Sequence, residues 1–286
     1  MTEERPTVDN PPSGAAFFAK TATPAEWRLV AAAIKSMEEA EATFWAGPAG
    51  LTFGAMDKDK FRLLAVDWPA KAFHKYACPK DTAVTVIVDQ FEKAMARAGA
   101  DDAVTVTTTG AGLLAIQFRG TVPKDFELHL TANRDRARMP TVELPTGLTL
   151  APGTLEASLG DIAVVSDEFR LLVTKDLVRF TGDDEAAGNA KSELLRGNPD
   201  LLKFEPGPEA TAIYSIAQVM PVLRALKGAQ SIDLALGTNR PLRLRFKLND
   251  AGASVTFWTT PRHVGAPNAG VEPPKAQAAD GGEAGS

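Results

Sequence analysis

The sequence predicts an α+β protein of two similar domains, each built from antiparallel sheets with two helices on one face. Three observations predict it. First, a unit is written twice: Val88, Phe91, Met95 and Ala98 are spaced as one helical face, Gly99 stops the helix, and two strand-like runs follow, Ala103–Thr109 and Leu113–Phe118. The same order returns in Ile216, Val219, Leu223 and Leu226, then Gly228, then Ser231–Leu236 and Leu242–Phe246. Phe91 and Val219 lie 128 positions apart, far beyond a solenoid period of about 20–50 residues, so a domain is duplicated rather than a short module arrayed. Second, the strand-like runs alternate apolar and polar residues, as half-buried antiparallel strands do, instead of forming continuous apolar blocks. Third, 286 residues are enough for two ordinary domains.

The elements follow in order. Residues 1–15 are polar and punctuated by Pro6, Pro11, Pro12 and Gly14, which predicts a disordered extension. A first domain is expected over residues 16–130. Phe17 and Phe18 begin its first strand. Thr23, Pro24 and Glu26 read as a helix start with a capping box, and Trp27, Val30, Ala31, Ile34 and Met37 as the buried face of that helix. Strands are expected at Gly50–Met56 and Phe61–Trp68 around the turn Asp57–Lys60, then a connector over 71–81 and a strand at Ala83–Val88 leading into the repeated unit. Phe126–Leu130 closes the domain.

Residues 131–141 have no periodicity and read as an interdomain connector. The second domain is expected over 142–263, with strands at Val142–Leu144 and Leu148–Leu150 and a helix from Pro152 to Asp161 burying Leu155, Leu159 and Ile162. A hairpin is expected at Phe169–Val173 and Leu177–Phe180, and a strand at Ala190–Leu195. The second copy of the repeated unit follows and ends in the strand Ser254–Trp258. Residues 264–286 are mostly Ala, Gly, Pro and Glu and predict a disordered tail.

The bulk chemistry narrows the function. Hydrophobic residues at 44% and charged residues at 23% suit a soluble globular protein. A net charge of −5 argues against a protein that coats nucleic acid indiscriminately, while leaving room for local basic patches. Cys78 is the single cysteine, so no internal disulfide framework exists and a reducing compartment is expected. No apolar run approaches the ~18 residues of a membrane helix, and Met1–Pro6 lacks the apolar stretch of a secretory signal. Gly-rich phosphate loops, zinc-protease motifs and paired cysteines are missing. One enzymatic reading competes: His74 and Cys78, four apart, as the base and nucleophile of a thiol hydrolase. Asp183, Asp184 and Glu185 read as a solvated loop with some capacity for a metal.

Gly50–Asp57, Val165–Asp167, Gly237–Leu242 and Trp258–Arg262, together with the spacing from Asp89 to Asp102, resemble the sliding-clamp family of the proliferating cell nuclear antigen (PCNA), particularly its archaeal members. The resemblance spans residues 17–263. It implies the DNA clamp fold, with subunits joined head to tail in a ring trimer around duplex DNA, helices lining the hole and sheets outside. Such a ring is a processivity factor and docking platform for DNA polymerase, the clamp loader and other replication and repair proteins that carry short hydrophobic-aromatic motifs. It implies no cofactor, no catalysis and no membrane, and a nucleoid (cytoplasmic) location if archaeal or a nuclear one if eukaryotic. Within the family a divergent alternative stays open, a checkpoint-type or heterotrimer-only paralogue.

The resemblance also implies sites. The DNA-facing cations would be Arg28 and Lys35 on the first helix, Lys93 and Arg97 on the second, and Arg224 and Lys227 on the fourth; composition alone reads all six as solvated helix faces. Lys227 also suits a helix C-terminus. The third helix has no Lys or Arg and carries Glu156 and Asp161. The partner pocket would be built from Met56, Phe61, Leu63, Met139, Val142, Pro241, Trp258 and Pro261, several of which read equally as core. Two features depart from the family: Thr259 and Thr260 replace a more apolar pair, and Arg134, Arg136 and Arg138 occupy a connector that is commonly acidic. The subunit contact would pair two edge strands, with Leu113, Ala115, Ile116 and Phe118 on one side and Lys191, Glu193 and Leu195 on the other.

Overall fold

A computed structural model describes residues 10–262; the remainder of both expected tails, residues 1–9 and 263–286, lies outside the described residues. The first half runs β1 (Phe18–Thr21), α1 (Ala25–Lys35), β2 (Glu41–Gly47), β3 (Gly50–Met56), β4 (Arg62–Pro69), β5 (Lys75–Ala77), β6 (Thr82–Ile87), α2 (Val88–Met95), β7 (Ala103–Thr108), β8 (Leu113–Arg119) and β9 (Lys124–His129). The second runs β10 (Thr146–Leu150), α3 (Pro152–Ile162), β11 (Glu168–Val173), β12 (Leu177–Asp184), β13 (Gly188–Leu195), β14 (Ala210–Ser215), α4 (Ile216–Ala225), β15 (Ser231–Leu236), β16 (Leu242–Lys247) and β17 (Ser254–Thr259). Apart from the short β5 and the 3-10 turn Ala70–Ala72 before it, the halves match element for element, so the duplication extends well beyond the repeated unit.

Every strand pairing between these elements is antiparallel. The orders are β5-β1-β7-β8-β9, β13-β12-β11-β14 and an eight-stranded sheet β10-β15-β16-β17-β4-β3-β2-β6. The large sheet passes from one half of the chain to the other where β17 pairs with β4, with Trp258 opposite Leu63. The helices touch as α2–α1–α4–α3 and share one apolar cluster with the inner sheet faces. Alternation sorts the strands: Phe44, Phe53, Leu64, Val66 and Phe257 face this core, whereas Thr43, Thr52, Leu63 and Trp258 face the other side.

Several elements differ from expectation. Val142–Leu144 forms no strand and belongs to the irregular stretch 130–145. The start of α1 has no side-chain cap: Pro24 stands at the N-cap, Thr21 Oγ1 rather than Thr23 satisfies the entering turn, and Glu26 accepts from Asn249 Nδ2 at 3.1 Å. The residue 71–81 connector contains β5, which pairs with β1. β2 escapes a reading by alternation because both of its faces are largely covered, and β14 because its buried face carries the small Ala210 and Ala212.

Candidate functional site

The helical layer holds the expected cations in unequal states. Arg28, on α1, is half-buried and donates to the carbonyl of Ala98 after α2. Lys35 is paired with Asp89 of α2, and that hydrogen bond pushes the lysine up and the carboxyl down from their ordinary values. Arg224 stands 3.9 Å from Glu156 of α3. Lys93, Arg97 and Lys227 are exposed and make no side-chain ion pair or hydrogen bond among the described residues; Lys227 lies beyond the end of α4. The exposed side of α3 carries Gly153, Ala157, Gly160 and Asp161. Uncommitted positive charge among the expected cations is therefore concentrated at the C-terminal end of α2, with Lys93 in its last turn and Arg97 just beyond it.

The opposite, outer face carries the connector. Coming from β9, it crosses the large sheet strand by strand: the amide of Thr131 donates to Thr85 O on β6, that of Arg134 to Thr43 Oγ1 on β2, and that of Ala137 to Gly54 O on β3. Thr43 and Thr85 hydroxyls are 2.8 Å apart, and Asn133 accepts from Thr85 at 2.9 Å. Arg134 grips Glu41, whose carboxyl it holds below the ordinary value, and Arg136 Nη2 donates to Thr52 Oγ1 at 3.1 Å. Gly54 permits this approach: a Cβ there would lie 3.1 Å from Met139 Cε.

Where the connector leaves the sheet, a cavity of about 380 Å3 opens over β4 and β17. Its lining brings together Met56, Phe61, Leu63, Met139, Pro241 and Trp258 from the expected set; Val142 and Pro261 do not line it. Leu63 and Trp258 form a buried floor outside the main core, and Met56, Phe61 and Met139 stand at the lip, 40–48% exposed. The β3–β4 turn that presents Met56 and Phe61 is pinned by buried Asp57, which accepts from Arg62 N at 2.8 Å and Arg62 Nε at 3.2 Å. Lys60 takes a left-handed φ of 60° in that turn. Lys60, Arg62 and Arg138 complete a cationic lining that apolar pattern alone did not single out; the signal for Arg138 was its alternation with Arg134 and Arg136.

The expected subunit contact needs a correction. β8, with Leu113, Ala115, Ile116 and Phe118, is paired on both sides, to β7 and β9, and Ile116 and Phe118 are fully buried. It is an interior strand. The edge is β9, whose short alternation Phe126, Leu128 covers β8. β13, carrying Lys191, Glu193 and Leu195, is a sheet edge, and Leu195 is 61% exposed. Lys191 and Arg179 both pair with Glu193.

The thiol-hydrolase geometry is not present. Cys78 is buried, burial pushes its thiol up, and Sγ donates to Lys80 O at 3.1 Å rather than to His74. A thiol raised in this way is a poor nucleophile. Asp184 accepts from the amides of Ala186 and Ala187 and so caps a turn; among the described residues no group of three or more His, Cys, Asp or Glu is arranged to hold a metal ion.

The family model described as "Proliferating cell nuclear antigen, N-terminal domain" matches residues 19–122. The chain is 29% identical over 249 residues to the DNA polymerase sliding clamp of Cenarchaeum symbiosum, covering 86% of this chain and 98% of that one. It is 26% identical over 250 residues to that of Nitrosopumilus maritimus, again over 86% and 98%. Among solved structures, PCNA from Thermococcus kodakaraensis superposes with a TM-score of 0.80 at 22% identity, over 86% of this chain and all of that chain. A. fulgidus PCNA, in a structure with the C-terminal region of FEN-1 bound, gives 0.77 at 22% identity over 87% and 100%.

Proposed function

We propose that this chain, a member of the sliding-clamp family of the proliferating cell nuclear antigen, forms a ring that closes around duplex DNA and tethers replication and repair proteins to it. One observation carries the reading. Inside the chain the two halves are joined by β17 pairing with β4, and the counterparts of those strands, β9 and β13, are the sheet edges left at opposite ends. A second copy pairing its β13 with the first copy's β9 repeats the internal joint, which is a head-to-tail contact that closes by rotation. Three copies give six like joints.

In that ring the helical layer faces inward and the outer sheet face carries the cavity beside the connector. Lys93 and Arg97 supply charge for phosphate contact, which is blind to base sequence and so permits sliding. The floor of Leu63 and Trp258 suits apolar anchors of a docking segment. The ring performs no chemistry; its contribution is topological. Among the described residues no helix is long and apolar enough to cross a membrane. With archaeal relatives such as these, we place the protein on the nucleoid.

The test is retention. Loaded onto closed circular DNA, the protein is expected to stay bound through a salt wash and to be released once the circle is cut. Equal retention on both forms would overturn the reading. A strictly monomeric mass in solution would remove the homotrimer and leave a ring built with paralogues.

A further inference from the structure

The cavity beside the connector is apolar at its floor and positively charged at its rim. Lys60, Arg62 and Arg138 line it, and no carboxylate does. Arg62 is committed to Asp57. Lys60 and Arg138 are exposed, and their side chains make no ion pair or hydrogen bond among the described residues. A third cation stands behind the floor. Strand register places Arg243, Trp258, Leu63 and Met56 in one row across β16, β17, β4 and β3 on the outer face. The Arg243 guanidinium carbon lies 5.7 Å from the Trp258 ring centroid, and its Nε is buried without an acceptor. Arg243 is outside the cavity lining, so it acts on a docked segment through its charge rather than by contact. The carboxylates of Asp57 and Glu38 approach the cavity only through Arg62, at 3.2 and 3.9 Å, Glu41 is held by Arg134, and none of the three lines the cavity.

We propose that the docking segment received here carries carboxylates beside its apolar anchor, and that Lys60, Arg138 and Arg243 select such acidic segments over basic ones. This rests on the docking reading of the cavity given above. Each exposed pair contributes little, so the selection is a sum of several contacts, weakened by salt. Complementary charge also speeds encounter and rejects the wrong sign.

The test uses the full chain and three fluorescein-labelled peptides that share one anchor of a leucine and two phenylalanines. Their flanks carry two glutamates, two serines or two lysines. The expected order is Glu, then Ser, then Lys, with roughly a tenfold span in Kd at low salt that closes toward unity at about 1 M salt, where screening is nearly complete. Lys60→Glu combined with Arg138→Glu should reverse the order, and Arg243→Gln should narrow it. Trp258→Ala should weaken all three peptides alike. Equal binding of the three, or tightest binding of the lysine peptide, overturns the acidic selection and leaves the docking reading intact. Failure of every peptide to bind overturns both. Because the salt series is run on the unaltered protein, misfolding of a variant does not remove the test.

Discussion

At the scale of single residues, identical cations on one layer have different jobs. Arg28 spends its guanidinium on the Ala98 carbonyl, tying α1 to the end of α2, whereas Lys93 and Arg97 make no side-chain ion pair or hydrogen bond among the described residues. Arg28→Ala is therefore expected to cost about 1–2 kcal/mol of stability, read by denaturant unfolding, because a charge-assisted hydrogen bond is lost. Lys93→Ala with Arg97→Ala is expected to leave stability within about 0.5 kcal/mol. The same pair should shallow the dependence of log K on log salt by about 0.9 for each phosphate contact removed. A pH effect sits on the outer face. Arg134 holds Glu41 below its ordinary value of 4.5, so this contribution is complete above about pH 4.5 and is lost as pH falls through the lowered value. Hydrogen-exchange protection at the Arg134 and Ala137 amides should fall in that window, and Glu41→Gln should abolish the pH dependence. None of these partnerships was legible beforehand: Arg134 and Glu41 are 93 residues apart, Arg28 and Ala98 70, and only the folded sheet brings them together.

At the scale of elements, what the sequence makes legible tracks one-sided burial. Helices α1, α2 and α4 and strands β3, β4, β8 and β16 each expose one face, so periodicity marks them. β2 carries four buried residues, three of them consecutive, so alternation fades where the sheet is covered on both sides by core and by connector; β14 does alternate in burial, but its buried face holds the small Ala210 and Ala212 while Ile213 lies on the other face, which removes the apolar contrast. The edge was misassigned for a related reason: β8 has the stronger apolar pattern because it is interior, whereas β9 is half-exposed and reads as weakly patterned. The pocket floor was legible through the family resemblance alone, because Leu63 and Trp258 are buried and by pattern read equally as core; the strand register is what turns them to the outer face. Gly54 shows how narrowly the connector is seated. Gly54→Ala should be tolerated, since only the flexible tip of Met139 must move. Gly54→Val should press on Ala137 and Arg136, lift the connector off β3 and weaken docking of an anchor peptide about tenfold, a cost of the size that overpacking brings. An unchanged Kd for the valine variant would show that the connector does not shape the cavity.

At the scale of the molecule, the duplication predicts the register between copies. The buried pairs Phe118/Phe246 and Ile116/Leu244 superpose the two hairpins and place Phe126 on Phe257; Phe180 on Phe53 places Ala190 on Leu64. Since Phe257 stands opposite Leu64 inside the chain, Phe126 of one copy should stand opposite Ala190 of the next, and Asp125 opposite Lys191. An unpaired edge invites indiscriminate association, and a charged residue in mid-strand narrows the choice to a partner of opposite sign. Both residues already have partners within the chain, Asp125 with Arg119 at 2.7 Å and Lys191 with Glu193 at 3.3 Å, so the contact between copies would extend an existing alternation of charge. The consequence is a charge swap. Asp125→Lys and Lys191→Glu are each expected to place like charges across the joint and to raise the ring's dissociation several-fold, by a few tenths to about 1 kcal/mol per joint. Carried together on one chain they restore opposite signs at every joint, and the trimer mass should return in light scattering at the same protein concentration. Additive losses in the double variant would place the two residues out of contact and the register off by at least one residue, because a slip of one turns every side chain to the other face.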